Sequence, residues 1–297
     1  MTLVLQAQGI TKRFPGVLAN DHVNFDLEQG EIHGLLGENG AGKTTLMNIL
    51  YGLYQQDEGE VSINGKPTRI ASPHEAIAHG IGMVHQHFML VPPLTVTENI
   101  ILGQESLQAR TKFLGRLAAL DRRSAAQRIR ELSHQYRLDV DPNAYIKDLP
   151  VGAQQRVEIV KALYRHAEIL ILDEPTAVLT PQEADELFII MRELVKQGKS
   201  IVFITHKLRE IFAVTDRISV MRGGKMIGTV MPAEATSEML AEMMVGRKVI
   251  LMIDKEPAKP GHTILRVENL RVQDDRRATM VHEVSFDVRE GEILGIA

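Results

Sequence analysis

The stretch GENGAGKT, Gly37 to Thr44, carries glycines, a lysine and a hydroxyl at the spacing G-x-x-x-x-G-K-[ST]. Gly37, Gly40 and Gly42 let the backbone curl, with Glu38, Asn39 and Ala41 between them, so that N–H groups face phosphate oxygens. A helix starting near Lys43 adds its N-terminal dipole. In this pattern Lys43 reaches the β- and γ-phosphates, Thr44 supplies an oxygen to Mg²⁺, and Thr45 adds a phosphate contact. A dinucleotide fingerprint is excluded, because Gly40-x-Gly42 is followed by Lys-Thr-Thr with no third glycine.

Two more apolar runs end in polar side chains. EILILDEPT (168–176) ends in Asp173, suited to hold Mg²⁺ through water, and Glu174, suited to polarise an attacking water. SIVFITH (200–206) ends in His206. Ligands of open α/β sheets sit at the carboxyl ends of the strands. Three polar motifs at three such ends can therefore converge on one nucleotide, which makes His206 a sensor of the γ-phosphate.

The elements that must place these groups follow from pattern. EIHGLL is an apolar strand before the glycine loop, and Leu46, Ile49, Leu50 and Leu53 form a helical stripe after it. Asp121 to Arg137 carries the stripe Ala125, Ile129, Leu132 and Tyr136 of an amphipathic helix. Thr95 with Glu98, Ser72 with Glu75 around Pro73, and Thr180 with Glu183 around Pro181 have capping-box spacing.

Hydrophobic residues make up 44% of the 297 residues, enough for a sizeable core, and the length suggests about two domains. The formal charge of -4 offers no basic field, so nucleic acid is not an expected partner. With no cysteine, disulfides and thiolate metal sites are excluded. The first residues lack the basic and apolar regions of a signal peptide. No apolar run approaches the roughly 20 residues of a spanning helix, so any membrane role must come through a partner.

The last fourteen residues, VSFDVREGEILGIA, repeat VNFDLEQGEIHGLL (23–36) at an offset of 261 residues. Phe25 meets Phe286, Gly30 meets Gly291, Glu31 meets Glu292, and residues 5–10 lie over 266–271. So long a period means duplicated domains rather than a solenoid. Between the copies, DKEPAKPG (254–261) has the composition of a linker. Strands in the second copy that lack the rest of their sheet are expected to pack loosely or pair opportunistically.

Taken together, these motifs resemble the ATP-binding subunits of ABC transporters. The resemblance implies an α/β P-loop NTPase core with a mostly parallel sheet, an antiparallel β subdomain and a helical subdomain. It makes 37–44 the Walker A loop, Asp173–Glu174 the Walker B end and His206 the switch histidine. Gln86 matches the Q-loop, which reaches the metal site and couples to the permease. Phe14, in KRFPGVLA, matches the aromatic that stacks on adenine, usually tyrosine. The His85-x-His87 pair lacks the further ligands a metal site needs. The resemblance places the first ABC domain at 1–253, its helical subdomain at about 89–165, a linker at 254–262 and the opening strands of an incomplete second domain at 263–297.

Two motifs depart from the family. The signature, usually LSGGQ, is LPVGAQQR (149–156), so Pro150, Val151, Gly152, Ala153 and Gln154 stand where a serine hydroxyl and a glutamine are usual. Pro150 removes one charge-assisted hydrogen bond to the γ-phosphate of the opposite domain, typically about 1.5–3 kcal/mol. Thr180 stands where many members have aspartate, and helix capping accounts for it. FPGVLA, SPHEAI, GAQQRVEIVKALYR and DEPTAVLTPQE are similar to importers of simple sugars and nucleosides, with HFMLVPPLTVTENIILG nearer the nucleoside members. The implied ligands are ATP and Mg²⁺. The implied partners are a second ABC domain, integral membrane permease subunits and a periplasmic or lipoprotein solute-binding protein, with this chain peripheral on the cytoplasmic face of the membrane.

Overall fold

The computed structural model describes residues 2–86, 88–104, 120–248, 258–274 and 277–296. They fall into two compact units, Met1–Val249 and Ile250–Ala297. In the first, β1 (Leu3–Phe14), β2 (Val17–Glu28), β4 (Glu58–Ile63) and β5 (Lys66–Pro67) form an antiparallel sheet in the order β2-β1-β4-β5. A second sheet joins β3 (Ile32–Leu36), β6 (Ile81–Val84), β7 (Ile169–Asp173), β8 (Ser200–Thr205), β9 (Arg217–Arg222) and β10 (Lys225–Val230) in the order β10-β9-β3-β8-β7-β6. It is parallel except for β10, which returns antiparallel along β9.

Its central strands are apolar throughout because both faces are covered. Leu170 and Leu172 of β7 and Ile201 and Phe203 of β8 enter one core cluster. Their neighbours Ile169, Ile171, Val202 and Ile204 enter the other. Among the described residues the α-helices are α1 (Lys43–Leu50), α2 (Pro73–Ala78), α3 (Val96–Ile101), α4 (Arg122–Gln135), α5 (Val151–Tyr164), α6 (Pro181–Lys196), α7 (Leu208–Val214) and α8 (Ser237–Val245).

The expected stripes and caps are mostly in place. Ala125, Ile129, Leu132 and Tyr136 are all buried. Thr95 with Glu98 and Thr180 with Glu183 close both halves of a capping box. Ser72 closes only its own half, since Glu75 accepts from Ala71 instead. Leu53 departs from its expected stripe: α1 stops at Leu50, and Leu53 is 48% exposed. Gly52, at φ 78°, turns the chain away first.

In the second unit β11 (Thr263–Gln273) pairs antiparallel with β12 (Thr279–Arg289). The hairpin repeats β1–β2 in detail. Val267 faces Phe286 as Ala7 faces Phe25, and Leu270 faces Val284 as Ile10 faces Val23. Gly9 N–H donates to the Asn24 side chain as Asn269 N–H donates to Ser285. Both bulge residues have positive φ, 60° at Gly9 and 50° at Asn269. The offset is 261 on the second strand but 260 on the first, one residue less than the sequence alignment gave. The turn of the second copy is one residue longer, which sequence identity in the strands cannot reveal.

Candidate functional site

The carboxyl ends of β3, β8, β7 and β6 lie side by side and level, with Leu36 opposite Thr205, Asp173 opposite Ile204, and Val84 opposite Leu172. The residues that follow these ends are the glycine loop, His206, Glu174 and the His85–Gln86 pair. Adjacent parallel strands thus deliver the sequence motifs to one edge.

Backbone sterics shape the loop. Gly42 caps α1 at φ 100°, where an added β-carbon would lie 2.3 Å from the Ala19 carbonyl. A β-carbon on Gly37 would lie 2.5 Å from the Met221 carbonyl. Ala41 N–H donates to the Glu38 carbonyl at 3.1 Å, so Ala41 closes the turn. Gly224 N–H holds the Ala41 carbonyl at 3.0 Å, and the Asn20 amide holds the Gly42 carbonyl at 3.2 Å. Glu38, Asn39 and Gly40 stay exposed.

The Lys43 ammonium bridges the loop, donating to the Gly37 and Glu38 carbonyls at 2.7 and 3.0 Å. Burial lowers its pKa, against the opposing pull of Glu174 and Asp173. Burial likewise raises the pKa of Asp173, partly offset by the Thr44 hydroxyl beside it. Thr44 and Asp173 therefore place two hard oxygen donors together, which suits a Mg²⁺ whose other ligands are phosphate and water. Among the described residues no group of three or more His, Asp or Glu could hold a metal by itself.

Glu174 takes φ 46°, a left-handed backbone uncommon for glutamate. Its N–H is anchored on the Ile204 carbonyl at 3.0 Å. Its carboxylate meets His206 Nδ1 at 3.0 Å. A cleft of about 660 Å³ is lined by Asn39 to Thr45, Gln86, Glu174, Phe14, Val17 and Leu18. Phe14 is 37% exposed and stands edge-on to Tyr54 at 5.5 Å. With Val17 and Leu18 it gives an otherwise polar cleft an apolar lip, suited to a base.

Pro150 to Gln154 do not line this cleft; they form the start of α5, where Pro150 and Val151 are exposed and Gly152 is buried. His87 lies outside the described residues. His85 is half-buried against the Tyr51 ring, 5.8 Å between centroids, and burial lowers its pKa.

Sequence reasoning missed several supporting groups. Asn20 is fully buried, yet the bulge at His22, φ 50°, disguises its inward position in β2. Glu210 is buried on α7 and accepts from Thr176 at 2.6 Å and Thr205 at 2.9 Å. Lys207 bonds both Glu210 and the Thr176 carbonyl, at 2.9 and 3.1 Å. This network clamps the segments behind Glu174 and His206. Its only sequence signal is an acid on an apolar helix face.

A family model described as ABC transporter matches residues 20–177, more than half of the chain. The chain belongs to the ABC transporter family. Over 294 residues it is 55% identical to the nucleoside import ATP-binding protein NupA of Lactococcus lactis subsp. cremoris, covering 99% of this chain and 56% of that protein. It is 49% identical over 313 residues to the glucose import ATP-binding protein TsgD13 of Haloferax volcanii, covering 99% and 57%. A solved dimeric bacterial ABC transporter cassette is 27% identical, with a TM-score of 0.63 over 77% of this chain and 98% of that one. The chain spans little more than half the length of the curated relatives it matches. The family supports ATP as the ligand of the cleft.

Proposed function

We propose that this chain binds and hydrolyses ATP as the motor part of an importer for nucleosides or simple sugars. The observation that carries the reading is the Glu174–His206 pair at 3.0 Å, on the edge of the cleft that holds Lys43 and the glycine loop. The similarity to NupA and TsgD13 supports import as the task and leaves two cargo classes.

In the proposed reaction the loop N–H groups and Lys43 hold the β- and γ-phosphates, and Phe14 stacks on the base. Thr44 and Asp173, with Gln86 at the cleft wall, would hold Mg²⁺, which supplies positive charge to the phosphate oxygens. Glu174 orients a water toward the γ-phosphorus. As water adds, the bond to the β–γ bridging oxygen breaks, and Lys43 and His206 stabilise the charge that develops. Such catalysis is positioning plus electrostatics. The start of α5 serves a second cassette's nucleotide, as the resemblance implies, and the dimeric relative supports pairing of cassettes.

The hairpin at 263–289 is proposed as the opening of a second ATP-binding domain after a linker at 254–262, supported by its register and bulge. Among the described residues no helix is long and apolar enough to cross a membrane. A permease partner would hold the chain at the cytoplasmic face of the membrane, with a periplasmic or lipoprotein solute-binding protein delivering cargo to that permease. A cavity of about 170 Å³ reached by His85, the residue before Gln86, and lined in part by Tyr51, Met89 and Arg165, offers a mixed apolar and charged seat for that permease.

The test is ATP turnover of the chain assembled with its permease. Glu174→Gln is expected to bind ATP and hold it unhydrolysed, and His206→Ala to lose turnover at least about a hundredfold. Wild-type hydrolysis in both variants sinks the assignment. A second reading, a nucleotide-binding half with little turnover, is favoured by Pro150; single-turnover hydrolysis separates it. A soluble ABC ATPase uncoupled from transport would fail to copurify with a permease.

A further inference from the structure

The helices α5 and α6 begin next to one another, and one carboxylate serves both starts. Glu183 accepts from Thr180 N–H at 2.9 Å and from the Thr180 hydroxyl at 3.1 Å, which closes the α6 capping box. The same carboxylate faces the signature segment: a β-carbon added to Gly152 would lie 2.6 Å from Glu183 Oε1. The Thr180 N–H, the Thr180 hydroxyl, the Gly152 N–H and the Arg156 charge together hold the Glu183 carboxyl below the usual carboxylate range.

The start of α5 has little else to offer an anion. The Pro150 carbonyl accepts from Ala153 and Gln154 at 3.0 and 3.1 Å. That leaves Val151 and Gly152 as the N–H groups with no carbonyl one turn back. Pro150 caps the helix with no side-chain hydrogen bond. A phosphate approaching these two N–H groups meets a negative charge already in position.

We infer that Glu183 is an internal anion closing the start of α5, and that a phosphate group can use this helix start only by displacing it. The inference rests on reading 150–154 as the surface that meets a second cassette's nucleotide. It deepens that reading by naming a residue outside the motif that sets the surface's affinity. Glu183 and the missing hydroxyl at Pro150 then act in the same direction. Displacement would also free half of the α6 cap, so residues 177–180, which lead from the Glu174 segment into α6, register the arrival of phosphate on α5.

The experiment titrates inorganic phosphate, at constant ionic strength, into the full ¹⁵N-labelled chain while the Val151 and Gly152 amide resonances are followed. Glu183→Gln keeps the capping-box geometry, since glutamine serves that position as well, and removes the charge. The wild type is expected to show no saturable shift at these amides up to the concentration that saturates Glu183→Gln. The variant is expected to bind at least about tenfold more tightly, as loss of a charged competitor implies. Thr180→Ala breaks the box and keeps the charge, and is expected to behave as the wild type. Equal responses in the wild type and Glu183→Gln overturn the inference. So does a Thr180→Ala chain that responds like Glu183→Gln, which would make the effect one of capping. In the same samples the Gly40 and Gly42 amides report ATP binding. Absence of any ATP response there would sink the proposed function while leaving the Glu183 result standing.

Discussion

At the residue scale the most legible groups were those whose chemistry demands a fixed spacing. Gly37 to Thr44, Asp173, Glu174 and His206 all stand at adjacent strand ends, since a phosphate loop and its partners leave few alternative residue types. Asn20 and Glu210 were not legible, because a buried amide or acid that props up a loop can come from any neighbouring element. Pro150 lies between these cases. Its φ of -64° and ψ of 160° fit the position before a helix, so the fold accepts it. Serine there would cap α5, worth about 0.5–1 kcal/mol. Losing the proline would cost a similar ~0.4–1 kcal/mol through the unfolded chain. Pro150→Ser should therefore leave the melting temperature nearly unchanged. It should strengthen nucleotide-dependent pairing of cassettes by about tenfold, from the regained charge-assisted bond. ATP titration of the assembled transporter's turnover checks this, and no gain in affinity or rate refutes it.

At the element scale the apolar runs were readable because strands buried on both faces must be apolar throughout. Lengths were less so: Leu53 continues the α1 period in sequence, but Gly52 ends the geometry. The buried polar groups that lock one sheet to the other were also hidden. His33 of β3 is one of these, with Nδ1 on the Asp26 carbonyl at 2.7 Å and Nε2 on the Ser219 hydroxyl at 2.8 Å. Burial, aided by the Arg217 charge, lowers its pKa from 6.5 to about 3. The neighbouring Glu31 carboxylate, 3.2 Å from Nδ1, is engaged by Arg217 at 3.0 Å. The depressed folded-state pKa means that the unfolded chain binds a proton first as pH falls. Stability attributable to His33 is complete above about pH 6.5 and is lost progressively toward about pH 3. Between pH 7 and pH 5 the loss is about 2 kcal/mol. Urea unfolding across that interval should show it, and His33→Gln, which keeps a donor and an acceptor, should flatten the dependence by that amount. An unchanged slope in the variant would refute the buried neutral imidazole as its source.

At the scale of the whole molecule, the internal repeat was legible as identity and its register was not, because one extra turn residue shifts the first strand without altering its pattern. The structure also shows how unequal the two copies are. Leu5, Ile10 and Val23 are fully buried, whereas their counterparts Leu265, Leu270 and Val284 are 50%, 41% and 43% exposed. In the first unit β1 has a second neighbour in β4, and its inner face joins a core with α1. Among the described residues of the second unit each strand has one neighbour, the other. A two-stranded hairpin alone is marginally stable in water, while a core of the first unit's size opens only with something near the global free energy. The two copies should therefore exchange their amide hydrogens on different timescales despite nearly matching ladders. Amides of β1 and β2 should be protected at least about a hundredfold more than their equivalents in β11 and β12, which corresponds to about 3 kcal/mol of opening free energy. Hydrogen-exchange mass spectrometry on the full chain measures both hairpins in one sample, so solvent conditions and intrinsic rates compare directly. Equal protection in the two copies would mean that the apolar side chains of β11 and β12 are covered in solution. The second hairpin would then be held by contacts beyond its own ladder.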